Sequence, residues 1–86
     1  MTHQTEVDDI ITIIRKAVSS SLNERMENVA IELKELSKIG YVYNIIGTFK
    51  VIPFFVTRSG KISVTLLQSE RGLEITNLKI EEGKGL

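Results

Sequence analysis

The sequence predicts an α+β fold, with one or two N-terminal helices packed on a three- to four-stranded antiparallel meander sheet. Two periodicities along the chain and one set of punctuation marks predict it. Apolar residues recur at helical steps through the first forty positions and at steps of two from Tyr41 onward. Glycines stand at Gly40, Gly60 and Gly72, between the apolar runs. With 86 residues the chain has room for one domain, expected as a helical part over 5–39, a β-meander over 41–80 and a disordered tail over 81–86.

The first element is read from Val7, Ile11, Ile14 and Val18, with Ile10 beside them, one face of an amphipathic helix. Thr5 is placed to cap its start, with Asp8 returning the bond three residues on, and Glu6, Asp8 and Asp9 suit the positive end of the helix dipole. A second stripe, Leu22, Met26, Val29, Leu33 and Leu36, steps 4, 3, 4, 3 in the manner of a short coiled-coil seam. The two stripes are out of phase by one residue at Ser19-Ser20-Ser21, where Ser21 and Glu24 make a capping box. Either two helices meet there or one helix is kinked, and the phase slip favours the break. Lys38 and Gly40 supply the expected helix stop.

Beyond Tyr41 the segments Tyr41–Ile46 and Thr48–Thr57 are β-rich and separated by Gly47. Arg58-Ser59-Gly60 is expected as a hairpin loop, and Ser69-Glu70-Arg71-Gly72 as a second turn. Between them Lys61–Gln68 alternates, with Ile62, Val64 and Leu66 on one face. In the last strand, Leu73–Ile80, the apolar phase slips from odd to even, and a bulge near Thr76-Asn77 would reconcile the halves.

Composition excludes several classes. The absence of cysteine removes disulfides and thiolate metal sites and fits a reducing compartment. Acids rather than bases precede the first apolar stretch, unlike a secretory signal, and the longest apolar-rich run, Tyr41–Val56, is interrupted by Asn44, Gly47, Lys50 and Pro53. The expectation is therefore a cytoplasmic protein without a membrane partner. Net charge is zero, with seven acids against five bases over 1–40 and four against six over 41–86, an asymmetry too small to predict a polyanionic partner from charge alone. Twelve isoleucines and no tryptophan are a bias that a thermophilic or AT-rich source would give, as would chance in a short chain.

No enzyme is expected. His3 is the only imidazole, so a nucleophilic triad has no other base to draw on. Glu32 and Glu35 stand three apart, which on a helix would share one face, and metal-dependent hydrolysis would need a third carboxylate such as Glu74. Glu24, Glu27, Lys34 and Lys38 complete what reads instead as a solvated face. The six glycines form no phosphate-cradling loop. Catalytic residues, metal ligands and cofactors are accordingly expected to be none.

The segment Phe49–Val56 (FKVIPFFV) is the informative one. Both parities are apolar, Phe49, Val51, Pro53 and Phe55 against Ile52, Phe54 and Val56, whereas a sheet covered by one helical layer should be polar outside. Pro53 belongs at an edge or a bulge because it lacks the N–H of a central strand. Three covers compete: the first helix, a second copy of the chain, or a different protein docking by edge or face. The leading expectation is a non-enzymatic protein-interaction module, a small accessory subunit or regulator of a larger assembly or a homodimer, with Val51, Pro53, Phe54 and Phe55 at its interface. The alternative is a nucleic-acid-binding module, with Lys50, Arg58, Lys61 and Arg71 as cations and Tyr41, Tyr43 and Phe49 as stacking faces.

Overall fold

A computed structural model describes residues 3–52 and 58–83. It is an α+β arrangement: helix α1 (His3–Leu22), a 3-10 turn (Met26–Asn28), and strands β1 (Val29–Ile39), β2 (Val42–Val51), β3 (Arg58–Ser69) and β4 (Gly72–Glu82). The strands form one open antiparallel sheet in the order β1-β2-β3-β4, with β1 and β4 at its edges.

Helix α1 lays Ile10, Ile14 and Val18 on the sheet, each fully buried. It begins at His3, so Thr5 lies within the helix and is not its cap. Its end is the Schellman arrangement: Asn23 takes φ 60°, the Asn23 amide donates to the Ser20 carbonyl at 3.2 Å and the Glu24 amide to the Ser19 carbonyl at 2.8 Å. The serine run is thus a helix stop, and Glu24 belongs to that stop and not to the start of a second helix.

The helical part expected to run to residue 39 ends with α1 at Leu22, and residues 29–39 are instead β1. Its apolar stripe fits a strand once one residue is looped out: Val29, Ile31 and Leu33 face inward, the pairing with β2 skips Lys34, and Leu36 resumes the inward row opposite Ile45. Gly40, with φ 62°, is the first residue of the two-residue turn Gly40-Tyr41 joining β1 to β2, the position at which such turns favour glycine.

On β2, Tyr43, Ile45, Phe49 and Val51 point into the core, and on β3 Ile62, Val64 and Leu66 meet them. Phe49 stands opposite Gly60, where an added Cβ would come within 2.8 Å of the ring's Cε1. The expected loop Arg58-Ser59-Gly60 is the first three residues of β3, paired with Val51, Lys50 and Phe49. The bulge in β4 falls where the phase slip placed it, since Thr65 pairs with Asn77 and Leu66 with Ile75, leaving Thr76 over. Ser69–Gly72 is a turn, with the Arg71 amide donating to the Ser69 hydroxyl at 3.2 Å. Glu81 and Glu82, expected in the disordered tail, are paired with Lys61 and Gly60 at the end of β4.

Candidate interaction surface

Alternation along four strands sends every second side chain away from α1. Register then sorts the outer side chains into rungs. At the end nearest the Gly40-Tyr41 turn the rung is Ile39, Val42, Leu67 and Glu74. Next come Ser37, Asn44, Thr65 and Asn77, then Glu35, Ile46, Ser63 and Lys79, then Glu32, Thr48, Lys61 and Glu81. The first rung is apolar across three strands, Ile46 lies two rungs below it on β2, and Tyr41 projects from the adjoining turn. Ile39 is 73% exposed and Tyr41 72%. An outer face of a helix-covered sheet is ordinarily polar, as the second rung is, so this end is the departure to be explained.

The opposite end of the same face is a shallow groove of about 460 Å³. Ala30, Thr48 and Ser59 form its floor because they are short, while Glu32, Lys50 and Lys61 rim it. Glu32 is itself engaged with Lys34 at 3.4 Å.

The residues expected at a protein interface fare unequally. Val51 has no exposed surface, being sealed between Val29 and Arg58 on the inner face, so it is core and offers nothing to a partner. Its neighbour Ile52 is 57% exposed. Pro53, Phe54 and Phe55 lie outside the described residues. The helix covers the Phe49–Val51 parity, and of the other parity, for which the three covers were weighed, only Ile52 is described and it is exposed.

The four cations of the nucleic-acid alternative do not form one surface. Lys50 and Lys61 are diagonal neighbours on the outer face. Arg58 points inward, where its Nε and Nη2 donate to the Glu82 carboxylate at 2.7 and 2.9 Å and its Nη1 to Glu24 at 3.1 Å and the Leu22 carbonyl at 3.3 Å. That bridge fastens the end of α1 to the last residue of β4. The hydrogen bond from Arg58 holds the Glu82 carboxyl below its ordinary range, and Glu82 in turn raises the guanidinium. Arg71 sits in the β3–β4 turn at the far end of the sheet. Of the proposed stacking rings, Tyr43 and Phe49 are buried, with the Lys38 ammonium 5.2 Å from the Tyr43 ring centre, and Tyr41 remains exposed.

Carboxylates do not converge either. Glu32 and Glu35 are both on the outer face of β1, one rung apart, and Glu74 is across the sheet on β4. Among the described residues no group of three or more His, Cys, Asp or Glu is placed to hold a metal ion, and no helix is long and apolar enough to cross a membrane.

Sequence reasoning missed Ile39, Ile46 and Leu67 as surface residues. A signal was present for Ile46: once Tyr43 and Ile45 are taken inward, strict alternation turns Val42, Asn44 and Ile46 out. Ile39 was hidden because β1 was read as a helix. No family model, curated protein or solved structure matches the chain.

Proposed function

We propose that the chain is a non-catalytic protein-interaction module, an accessory subunit or regulator within a larger assembly, and that it meets a protein partner with the bare face of its sheet. The apolar rung Ile39–Val42–Leu67, flanked by Tyr41 and Ile46, carries this reading. Its fit is to an apolar protein surface edged by charge, because Glu74, Glu35 and Lys79 border the patch on both edge strands. The test compares the intact chain with an Ile39→Glu, Leu67→Glu double variant. Association with one reproducible partner from native extract should be lost in the variant, with helical circular dichroism and melting temperature retained. Equal capture by both proteins would refute the reading.

A second reading, binding of a nucleic-acid backbone, draws on Lys50 and Lys61 at the rim of the groove. Glu32 and Glu81 share the rung of Lys61, which weakens the local field for a polyanion. It predicts binding to a labelled oligonucleotide that falls steeply with salt and is lost in Lys50→Ala, Lys61→Ala. Absence of binding at low salt removes it.

A further inference from the structure

Both edges of the sheet carry a bulge, but the self-pairing register that the β4 bulge allows matches charge as well as faces, and the corresponding β1 register does not. We propose that β4 pairs antiparallel with β4 of a second copy, about a two-fold axis at Thr76-Asn77, giving one continuous eight-stranded sheet. Two β4 strands can meet in this way only if residues facing each other lie on the same face of the sheet. In an unbroken strand that requires positions of like parity. The bulge at Thr76 reverses parity between the halves of β4: Leu73 and Ile75 face inward before it, Leu78 and Ile80 after it. Odd-to-even pairing across the bulge therefore keeps faces matched along the whole strand.

One such register matches charge as well. It sets Lys79 opposite Glu74 of the second copy, and by symmetry Glu74 opposite Lys79, all on the outer face. On the inner face it sets Leu78 opposite Ile75 and Ile80 opposite Leu73. These four aliphatic residues are only half-buried in one copy, although they pack against the core. α1 runs closest to β1, at the other side of the sheet, which leaves the β4 rim thinly covered. A second β4 would complete the cover. The corresponding antiparallel self-pairing of β1, with Leu33 opposite Leu36, places Ile31 against Lys38 on the inner face and so disfavours that edge.

This inference uses the strand edge and stands apart from the outer-face reading above. In the pair both helices lie on one side of the joined sheet, and the two apolar rungs lie on the other.

The test is sedimentation equilibrium of the full chain over a wide concentration range. The unaltered chain should form dimers and nothing larger. Glu74→Lys should raise the dimer dissociation constant about tenfold or more, since two opposite-charge pairs become like-charge pairs. Adding Lys79→Glu to that variant should restore the original value. Because the chain contains no cysteine, single-cysteine variants give a second measurement. Asn77→Cys should cross-link two copies on mild oxidation. Ser37→Cys, in the same rung at the β1 edge, should not. A monomer at all concentrations would overturn the proposal, as would a dimer indifferent to Glu74→Lys or cross-linking at Ser37→Cys and not at Asn77→Cys. A dimer dissolved by Ile39→Glu, Leu67→Glu but untouched by Glu74→Lys would transfer self-association to the outer face.

Discussion

Val51 and Ile52 are consecutive, and the structure assigns them opposite fates: 0% exposure for the first, 57% for the second. Truncating each to alanine tests that assignment against side-chain size. Isoleucine loses three carbons and valine two, so at about 0.8 kcal/mol per buried methylene size alone ranks the costs near 2.4 and 1.6 kcal/mol. Burial inverts the order. Ile52 contributes only through its covered part, roughly 1 kcal/mol, and its amide bond to the Asn28 carbonyl at 3.1 Å survives the change. Val51→Ala carries the full transfer term and leaves a cavity between Val29 and the β3 strand, for about 2–3 kcal/mol. In a domain of this size that lowers the melting temperature by about 8–24 °C. The assay is urea unfolding followed by far-ultraviolet circular dichroism, with the slope held common to both variants. Aspartate widens the contrast. At Val51 it buries a carboxyl, and a total stability of about 4–13 kcal/mol cannot absorb much of that. At Ile52 it costs about 1 kcal/mol. A cost at Ile52 equal to or greater than that at Val51 would refute the buried and exposed assignment of these two residues at the end of β2.

Three further outcomes follow from named contacts. Glu82→Gln should be less stable than the parent at pH 7, because it removes the charge that Arg58 grips. A carboxyl lowered in the folded state contributes its stability above its ordinary value of 4.5 and loses it as the pH falls through the lowered one, so the two unfolding curves should converge in acid. Arg58→Met should shed the same acid-sensitive term and also loosen the helix end, read as faster amide exchange at Asn23 and Glu24, whose amides hold the helix stop. Gly60→Ala should cost about 1–3 kcal/mol in thermal unfolding, because its Cβ meets the Glu81 carbonyl oxygen as well as the Phe49 ring, and a backbone atom cannot turn aside.

Much of the sheet was legible because alternation is a local signal. Ile62, Val64 and Leu66 announced their face, and the slip between Ile75 and Leu78 announced the bulge that the pairing then displays. Turn chemistry was legible in kind but not always in place. Gly40 needs its positive φ, but for a hairpin and not for a helix end. The serine run marks a helix end as the phase slip suggested, yet Asn23 performs the stop. The surface was harder to read. Which cations share a face depends on cross-strand register, and register sends Arg58 inward while Lys50 and Lys61 point out. No spacing within a single segment records that.

The misreading of β1 has a physical source that can itself be tested. A strand with one looped-out residue places its inward side chains at steps of 2, 2 and 3, and Val29, Ile31, Leu33 and Leu36 do so. Omit Ile31 and the steps become 4 and 3, the spacing of a helix face. Lys34 is the residue that produces the ambiguity, and its removal should be tolerated. Without it Leu33 still faces Gly47 inward and Glu35 still faces Ile46 outward, so every other side chain keeps its side. Deleting Leu33 instead closes the same ladder with Lys34 in the inward place, setting an ammonium where an aliphatic side chain packed against the core. Deletion of Lys34 should therefore cost under about 1 kcal/mol and deletion of Leu33 at least about 2 kcal/mol more, measured by thermal unfolding. The straightened edge should also associate more readily at high concentration, because a lysine looped out of a free edge strand stands in the way of a second strand. Equal losses from the two deletions would mean that β1 does not hold its faces through the bulge.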